Sequence, residues 1–464
     1  MLPATQGINA GARLDRLPVG AFHRRVLWLI GLGMFLDACD IYLAGGVLGA
    51  LVKEGWSTLE LNAAFMSATF LGMLAGTFFA GYLGDRYGRR VTYQVNLLIF
   101  GLASIAAAFA PTMQALIAIR FVMGIGLGAE IVVGYSSLAE LMPRASRGRY
   151  VALLAVITNT AVPVTGLGGA WLIPALGWRP MFGIVGVCAL AVWILRKNMP
   201  ESPRWLETRG RLPEAEALMQ SIESEAALNG ALPPIPAASG TLPTFGEYRE
   251  LIGPGLLRNL LVGVTIAVVS GINLYGFLSW IPSFLVKGGL SMGSSLWFSG
   301  IMGLGAPLGA LLGSFIADRF GRVRCLATLA LTEAVFGVVY PMVGNGIELI
   351  AVGFVITLCA YGIVAIGFAL YIPELFPTRL RLRGASVVIG TSRLTSSQVG
   401  FVVVSIFGAF GIAGAAGFLT GSLVLLAAVV LIFGRETSNR SLEDIAASIS
   451  APVASPLARP ILNQ

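Results

Sequence analysis

Histidine is almost missing from this chain: there is one, His23, in 464 residues. It precedes the first long apolar run, so histidine acid–base or metal chemistry deep in an apolar segment is excluded. Cysteine is scarce as well. Cys39, Cys188, Cys325 and Cys359 all fall in apolar segments, none has a partner at metal-ligand spacing, and they read as small hydrophobes. Charge is the largest deficit, with 12% charged residues against about 25% in soluble domains. No nucleophile–base constellation, phosphate-cradling loop or metal cluster is present, so neither an enzyme nor a cofactor or metal is expected. The glycine-rich pieces "GLGMF", "GIGLG" and "GLGAP" fall in mid-segment, where small residues let helices approach closely.

What the chain has instead is apolar length. Hydrophobic residues make up 56% and the mean hydropathy is +0.82, which places the chain in the bilayer. A hydrocarbon core needs about 20 apolar residues per helix. Twelve such segments are predicted, at 26–50, 61–83, 91–110, 113–137, 150–172, 178–195, 258–285, 295–317, 325–343, 348–373, 384–408 and 411–433. The expected fold is all-α, with twelve membrane helices in two pseudo-symmetric six-helix bundles. The expected divisions are a tail (1–25), a first bundle (26–196), a central loop (197–257), a second bundle (258–434) and a C-terminal tail (435–464). Within the loop, "LPEAEALMQSIESEAAL" reads as an amphipathic surface helix and "ALPPIPAASG" as a linker.

Positive charge orients the chain. Of 31 basic residues, 26 fall on the side of the termini and only Lys53, Arg179 and Lys287 on the other; Arg120 and Arg393 remain within helices. Lys and Arg are retained on the cytoplasmic side, so both termini are expected there. The pI of about 9.6 reports topology and makes no case for nucleic acid.

The two halves repeat. "GYLGDRYGRR" follows the second segment and "GSFIADRFGR" the eighth, which aligns Asp85 with Asp318. "AELMPRASRG" ends the fourth and "PELFPTRLRLRG" the tenth, which aligns Glu140 with Glu374 and Arg147 with Arg381. Two motifs at nearly one offset make an internal repeat, a mark of two-bundle transporters with the site at the interface.

On these residues the chain resembles the major facilitator superfamily, across essentially its whole length. "PESPRWLETRGR" and "RETSNRSLEDI" look like the sugar-porter branch and its relatives, which include metabolite:proton symporters, niacin transporters and synaptic-vesicle glycoproteins. "LDACDIY" in the first segment and "YGFLSWIPSFLVKGGLS" in the seventh look more like aromatic acid:proton symporters. The resemblance implies a multi-pass protein of a bacterial inner membrane, working as a monomer on a small-molecule substrate and protons. It also implies a cytoplasmic lock that forms in one state and breaks in the other. That role falls to Asp85, Arg89, Asp318 and Arg322, with Glu140, Arg147, Glu374 and Arg381. The alternative is that these charges simply satisfy helix ends.

Charges inside a bilayer are costly and functional by default. Here they are Asp37, Asp40, Arg120, Glu130, Glu333 and Arg393. At about 1.5 Å per residue, Asp37 and Asp40 lie roughly 16 and 21 Å in from the terminal side. Arg120 lies about 10 Å from the opposite face, at a depth matching Asp40, so a contact between them is expected. The i, i+3 spacing puts both aspartates on one face. Two close carboxylates resist double ionisation, which suits a proton carrier, Asp37 being the first choice. The other reading is a structural acid paired with Arg120. Arg393, in the polar stretch "GTSRLTSSQ" that ends on Gln398, suits a carboxylate substrate, or an internal salt bridge. Asn159, Asn273, Tyr275, Trp280 and Tyr361 are further cavity candidates. Glu130 stays open between a cavity acid and a packing group, and Glu333 is expected to be peripheral, snorkelling or structural.

The expected function is proton-coupled symport of a small organic carboxylate, aromatic or heteroaromatic. A sugar symporter is less expected, because "SGINLYG" and "LLAVITNTAVPV" lack the glutamines of sugar porters. Proton-driven efflux and a non-transporting sensor are the remaining alternatives.

Overall fold

The computed structural model describes residues 8–143, 145–228, 230–235, 247–253, 256–276, 278–287, 289–344, 346–377 and 380–437, with the side chains of 85, 283, 284, 287, 318, 381, 382 and 412 outside that description. Regular structure there is entirely helical, as a bilayer demands when every backbone polar group must bond within its own segment. Twelve helices are long and apolar enough to cross a membrane. In the first half they are α1 (Ala21–Lys53), α2 (Leu59–Gly84), α3 (Arg89–Ala108), α4 (Met113–Leu141), α5 (Arg147–Leu176) and α6 (Arg179–Asn198). In the second they are α7 (Leu257–Trp280), α8 (Met292–Ala317), α9 (Arg322–Met342), α10 (Ile347–Glu374), α11 (Arg383–Gly411) and α12 (Ala413–Phe433). Each expected segment has its helix. α1 starts at Ala21, which puts His23 in its first turn, where Nδ1 accepts from the Gly20 amide at 3.1 Å.

Helix boundaries follow from side chains. α2, α4 and α8 begin at Thr58, Thr112 and Ser291, whose hydroxyls accept from Leu61, Ala115 and Ser294 amides, the usual cap for orphan N–H groups. At the opposite face, Gly88 and Gly321 turn α2 into α3 and α8 into α9 with φ of 97° and 93°, a left-handed geometry that glycine adopts freely. The same repeat sets the packing. Gly72 and Gly76 bring α2 onto the α4 backbone, and Gly305 and Gly309, 233 residues on, bring α8 onto α10.

Each bundle has its own core. Phe65, Phe70, Phe100 and Phe182 anchor the first, and Ile266, Leu326, Ile366 and Phe376 the second. Helical regularity is interrupted twice: α5 breaks after Asn159, near its middle, and α10 becomes π-helical over Ala365–Tyr371, close to its Glu374 end. Outside the spans, the expected loop helix runs Leu212–Ala227 and seats Met219 and Ile222 beneath the first bundle. A tail helix, Ala10–Asp15, lies across it, with Arg13 bound to Glu216 at 2.5 Å and to Glu223 at 2.7 Å.

Candidate functional site

Asp40 and Arg120 meet as their depths require. The guanidinium Nη1 donates to Asp40 Oδ2 at 2.5 Å and Nε to Thr69 Oγ1 at 3.1 Å, and both side chains are fully buried. The Phe65 ring faces the cation at 4.5 Å. Asp37, three residues earlier on the same face, is different. It is 2% exposed, and neither carboxylate oxygen has a hydrogen-bond partner. The ionisable groups that act on it are Glu130, Arg196 and Asp40.

Arg196 is a buried charge that the sequence hides at the edge of the basic central loop. It is 0% exposed, so among its described residues the first bundle holds two buried arginines. Nη1 donates to Glu130 Oε1 at 2.5 Å, while Nε and Nη2 donate to the Leu29 and Ile30 carbonyls at 2.7 and 2.9 Å. Its guanidinium stands over the Tyr93 ring at 4.9 Å. Gly33 makes this possible, because a Cβ there would occupy the guanidinium's place. The glycines of "GLGMF" thus admit a charge as well as a helix. Glu130 is a paired acid inside the first bundle, with Oε2 left unpartnered.

Two aromatic contacts join the bundles. Tyr42 of α1 reaches Tyr361 of α10 with ring centroids 6.3 Å apart, and Tyr275 of α7 reaches Phe70 of α2 at 4.4 Å. Tyr42 and Tyr275 are equivalent in the repeat, again 233 apart. Beyond them toward Lys53, α1 and α7 close up: a Cβ on Gly45 would stand 2.7 Å from the Ser279 carbonyl oxygen. A largely apolar cavity of about 50 Å³ lies there, between Tyr42, Gly46, Thr165, Pro282, Leu296 and Tyr361. Arg393 of α11 is half-buried and acts electrostatically on the Tyr42 phenol. Among the described residues it has no ion pair or hydrogen bond. Asn159 is also half-buried, at the break in α5.

Other candidates lie elsewhere. Asn273 donates to the Val269 carbonyl and to Ser422 Oγ, both at 3.0 Å, which turns it into the second bundle. Trp280 is 3% exposed in an apolar cluster with Ile281, Val399 and Val403. Gln398 is exposed on α11 and donates to Ser397 Oγ at 3.1 Å. Glu333 does not snorkel. It is 2% exposed because its face of α9 packs against α7, α10 and α12.

At the Gly88–Gly321 face the repeat is reproduced contact by contact. Arg89 donates to Glu140 at 3.0 Å and to the Gly84 carbonyl at 2.8 Å. Arg322 donates to Glu374 at 3.2 Å and to the Ala317 carbonyl at 3.2 Å. Arg147 binds Asp15 of the tail helix at 3.2 Å. The side chains of Asp85, Asp318 and Arg381 lie outside the described ones. Sequence reasoning missed two acids here. Glu201 accepts from the Arg89 and Arg90 amides at 2.8 and 3.2 Å, and Glu436 from the Arg322 and Val323 amides at the same distances. Each caps the first turn of a helix from the far end of its own bundle, where a carboxylate also meets the helix dipole. The signal was present, as "PES" and "RET" recur 235 residues apart.

Comparison with known proteins agrees with this architecture. The family model described as "Major Facilitator Superfamily" matches residues 30–396. The inner membrane metabolite transport protein YdjE of Escherichia coli is 36% identical over 94% of this chain and 98% of its own length. The niacin transporter NiaP of Acinetobacter baylyi is 31% identical over 94% and 99%. The 4-hydroxybenzoate transporter PcaK of the same organism is 26% identical over 84% and 86%. Among solved structures, the inward-open xylose transporter XylE from E. coli superposes with a TM-score of 0.70 at 19% identity, over 92% of this chain and 99% of that one.

Proposed function

Because the chain belongs to the Major Facilitator Superfamily and is a multi-pass membrane transporter of metabolites, not an enzyme, we propose that it carries a small organic carboxylate together with protons. The observation that carries this reading is the contrast within the acid pair. Asp40 is consumed by Arg120, whereas Asp37 is as fully buried and has no hydrogen bond. A buried carboxylate with no hydrogen bond, beside the acids Glu130 and Asp40 and with the nearby Arg196 already bound to Glu130, is far costlier charged than neutral, so Asp37 suits a group that takes a proton on one side and releases it on the other.

The substrate side rests on Arg393. It stands half-buried at the bundle interface beside Tyr42, without an anion among the described residues. A guanidinium there offers a planar two-pronged donor for a carboxylate, and the Tyr42–Tyr361 and Phe70–Tyr275 pairs offer flat faces to an aromatic ring. Niacin and 4-hydroxybenzoate, named for two relatives, are both aromatic carboxylates. With substrate on Arg393 and a proton on Asp37, the loaded cavity is closer to neutral, and the units 26–196 and 258–434 rock about it.

Positive charge sets the orientation: termini and the Gly88–Gly321 face lie in the cytoplasm, in a bacterial inner membrane. The lock built on Arg89–Glu140 and Arg322–Glu374 then opens and closes that face, with Glu201 and Glu436 fixing the helix ends it uses. Binding by thermal shift on the purified protein tests the substrate class, since a ligand bound to the folded state raises its apparent stability. Nicotinate should stabilise the protein and nicotinamide should not. Equal stabilisation by the two, or a strong effect of an uncharged hexose, would refute the carboxylate reading.

A further inference from the structure

The second bundle contains a carboxylate that the reading above does not use. Glu333 borders a void of about 10 Å³, with Ser270 and Asn273 of α7, Ala360 of α10 and Leu423 of α12 around it. That space is just large enough for a single water. Ser270 is 5% exposed, and its Oγ is unpartnered, as is Glu333 Oε2. The Asn273 amide hydrogens are committed to the Val269 carbonyl and Ser422 Oγ, so its free group is the acceptor Oδ1. The Ser270 hydroxyl is then the one free donor among these groups, facing the Glu333 carboxyl and Asn273 Oδ1 as acceptors, and a proton on Glu333 would add a second donor.

Nothing nearby supplies a counter-charge. α7 contributes the neutral Ser270 and Asn273, α10 contributes the Cys359 thiol, and α12 contributes the apolar Leu423 and Leu426, with Ser422 behind Asn273. Among the described residues no charged group acts on Glu333. The repeat explains the arrangement. An offset of 233 maps Asp37 onto Ser270 and Asp40 onto Asn273. Where the first bundle carries two acids on its first helix, the second carries a hydroxyl and an amide, and an acid from α9 is delivered to the same place. The α3 counterpart of Glu333 is Phe100.

We propose that this void is a second proton-binding site of the carrier, with a proton on Glu333, one water in the void linking it to Ser270 Oγ and Asn273 Oδ1, and exchange of that proton during the transport cycle. A metal ion fits less well, because hard cations take about six or more oxygens and the cluster offers three side-chain groups. The proton's part in transport rests on the symport reading; its presence at Glu333 does not.

Infrared spectroscopy on the protein in lipid nanodiscs at neutral pH reads the carboxylic-acid carbonyl band. Glu333→Gln removes one component, Glu333→Asp shifts it, and Ser270→Ala moves it to higher frequency by removing a hydrogen bond. Sodium at constant pH leaves it unchanged. In proteoliposomes, Glu333→Gln lowers the number of protons carried per substrate by one, whereas Asp37→Asn uncouples transport. Identical bands in wild type and Glu333→Gln mean an ionised Glu333 and overturn the proposal. So does a band that sodium abolishes, which would make this a sodium site, or an unchanged proton ratio, which would make Glu333 a static acid. If neither variant alters coupling, the symport reading fails as well, and the infrared result distinguishes the two failures.

Discussion

Asp37→Asn and Asp40→Asn are the same chemical change three residues apart on one helix face, and they should have opposite consequences. Asp40→Asn removes the anion that Arg120 binds at 2.5 Å. Arg120 then keeps only Thr69 Oγ1 at 3.1 Å and the Phe65 ring at 4.5 Å, with Nη2 already unpartnered. Breaking a buried ion pair by removing one partner costs about 3–5 kcal/mol, and the Phe65 contact, present before and after the change, does not alter that. In a helical bundle of this size that lowers the melting temperature by roughly 6–20 °C. Asp37→Asn removes a carboxylate that bonds nothing, and should change stability by less than about 1 kcal/mol. Thermal unfolding of the two variants in one detergent, without ligand, provides the measurement. Asp37→Asn should melt close to wild type and lose proton-driven accumulation. A melting temperature depressed as far as that of Asp40→Asn would show that Asp37 is a structural partner, and would remove it as the proton carrier.

Three further outcomes follow from the geometry. Arg393→Lys keeps the charge and loses the fork, so carboxylate affinity should fall about tenfold, the equivalent of one good hydrogen bond to a charged group; unchanged affinity in Arg393→Ala would exclude it from the site. Glu201→Gln and Glu436→Gln each weaken two charge-assisted caps, and at about 1.5–3 kcal/mol should bias the inward–outward balance ten- to hundred-fold while leaving the order of preferred substrates intact. A changed order would mean that the lock reaches the binding site. The tail clasp should be acid-labile, because hydrogen bonding from Arg13 holds Glu223 below its ordinary value of 4.5, and Glu216 likewise. Its stabilisation is therefore fully present above pH 4.5 and lost as pH falls through the lowered values. Proteolysis near Arg13 and Arg16 should accelerate only in that acid range, and cleavage that does not rise when the pH is taken from 7 to well below the lowered values would contradict the clasp.

The twelve spans and the repeat could be read in the sequence because length, hydropathy and identical turn motifs are local properties. The Asp40–Arg120 contact was readable too, since depth follows from residue count once the topology is set. Arg196 was not: it sits among the loop's basic residues, and nothing local shows that Gly33 opposite leaves space for a guanidinium. Glu333 was expected to snorkel or serve a structural role because its helix was read as peripheral, and nothing local shows that its own face of that helix turns inward. Glu201 and Glu436 were part of quoted motifs, yet their caps close across about 110 residues, a distance at which spacing carries no geometry. The tail helix went unread because its partners, Glu207, Glu216 and Glu223, lie roughly 200 residues on.

The most direct test of the account is uptake of labelled nicotinate into proteoliposomes under an imposed proton gradient, in wild type and in Asp37→Asn. The account predicts accumulation above the external concentration in wild type, collapse of that accumulation with a protonophore, and equilibration without accumulation in Asp37→Asn. Uptake that never exceeds equilibrium in wild type across a panel of aromatic carboxylates, or accumulation that survives intact in Asp37→Asn, would contradict it.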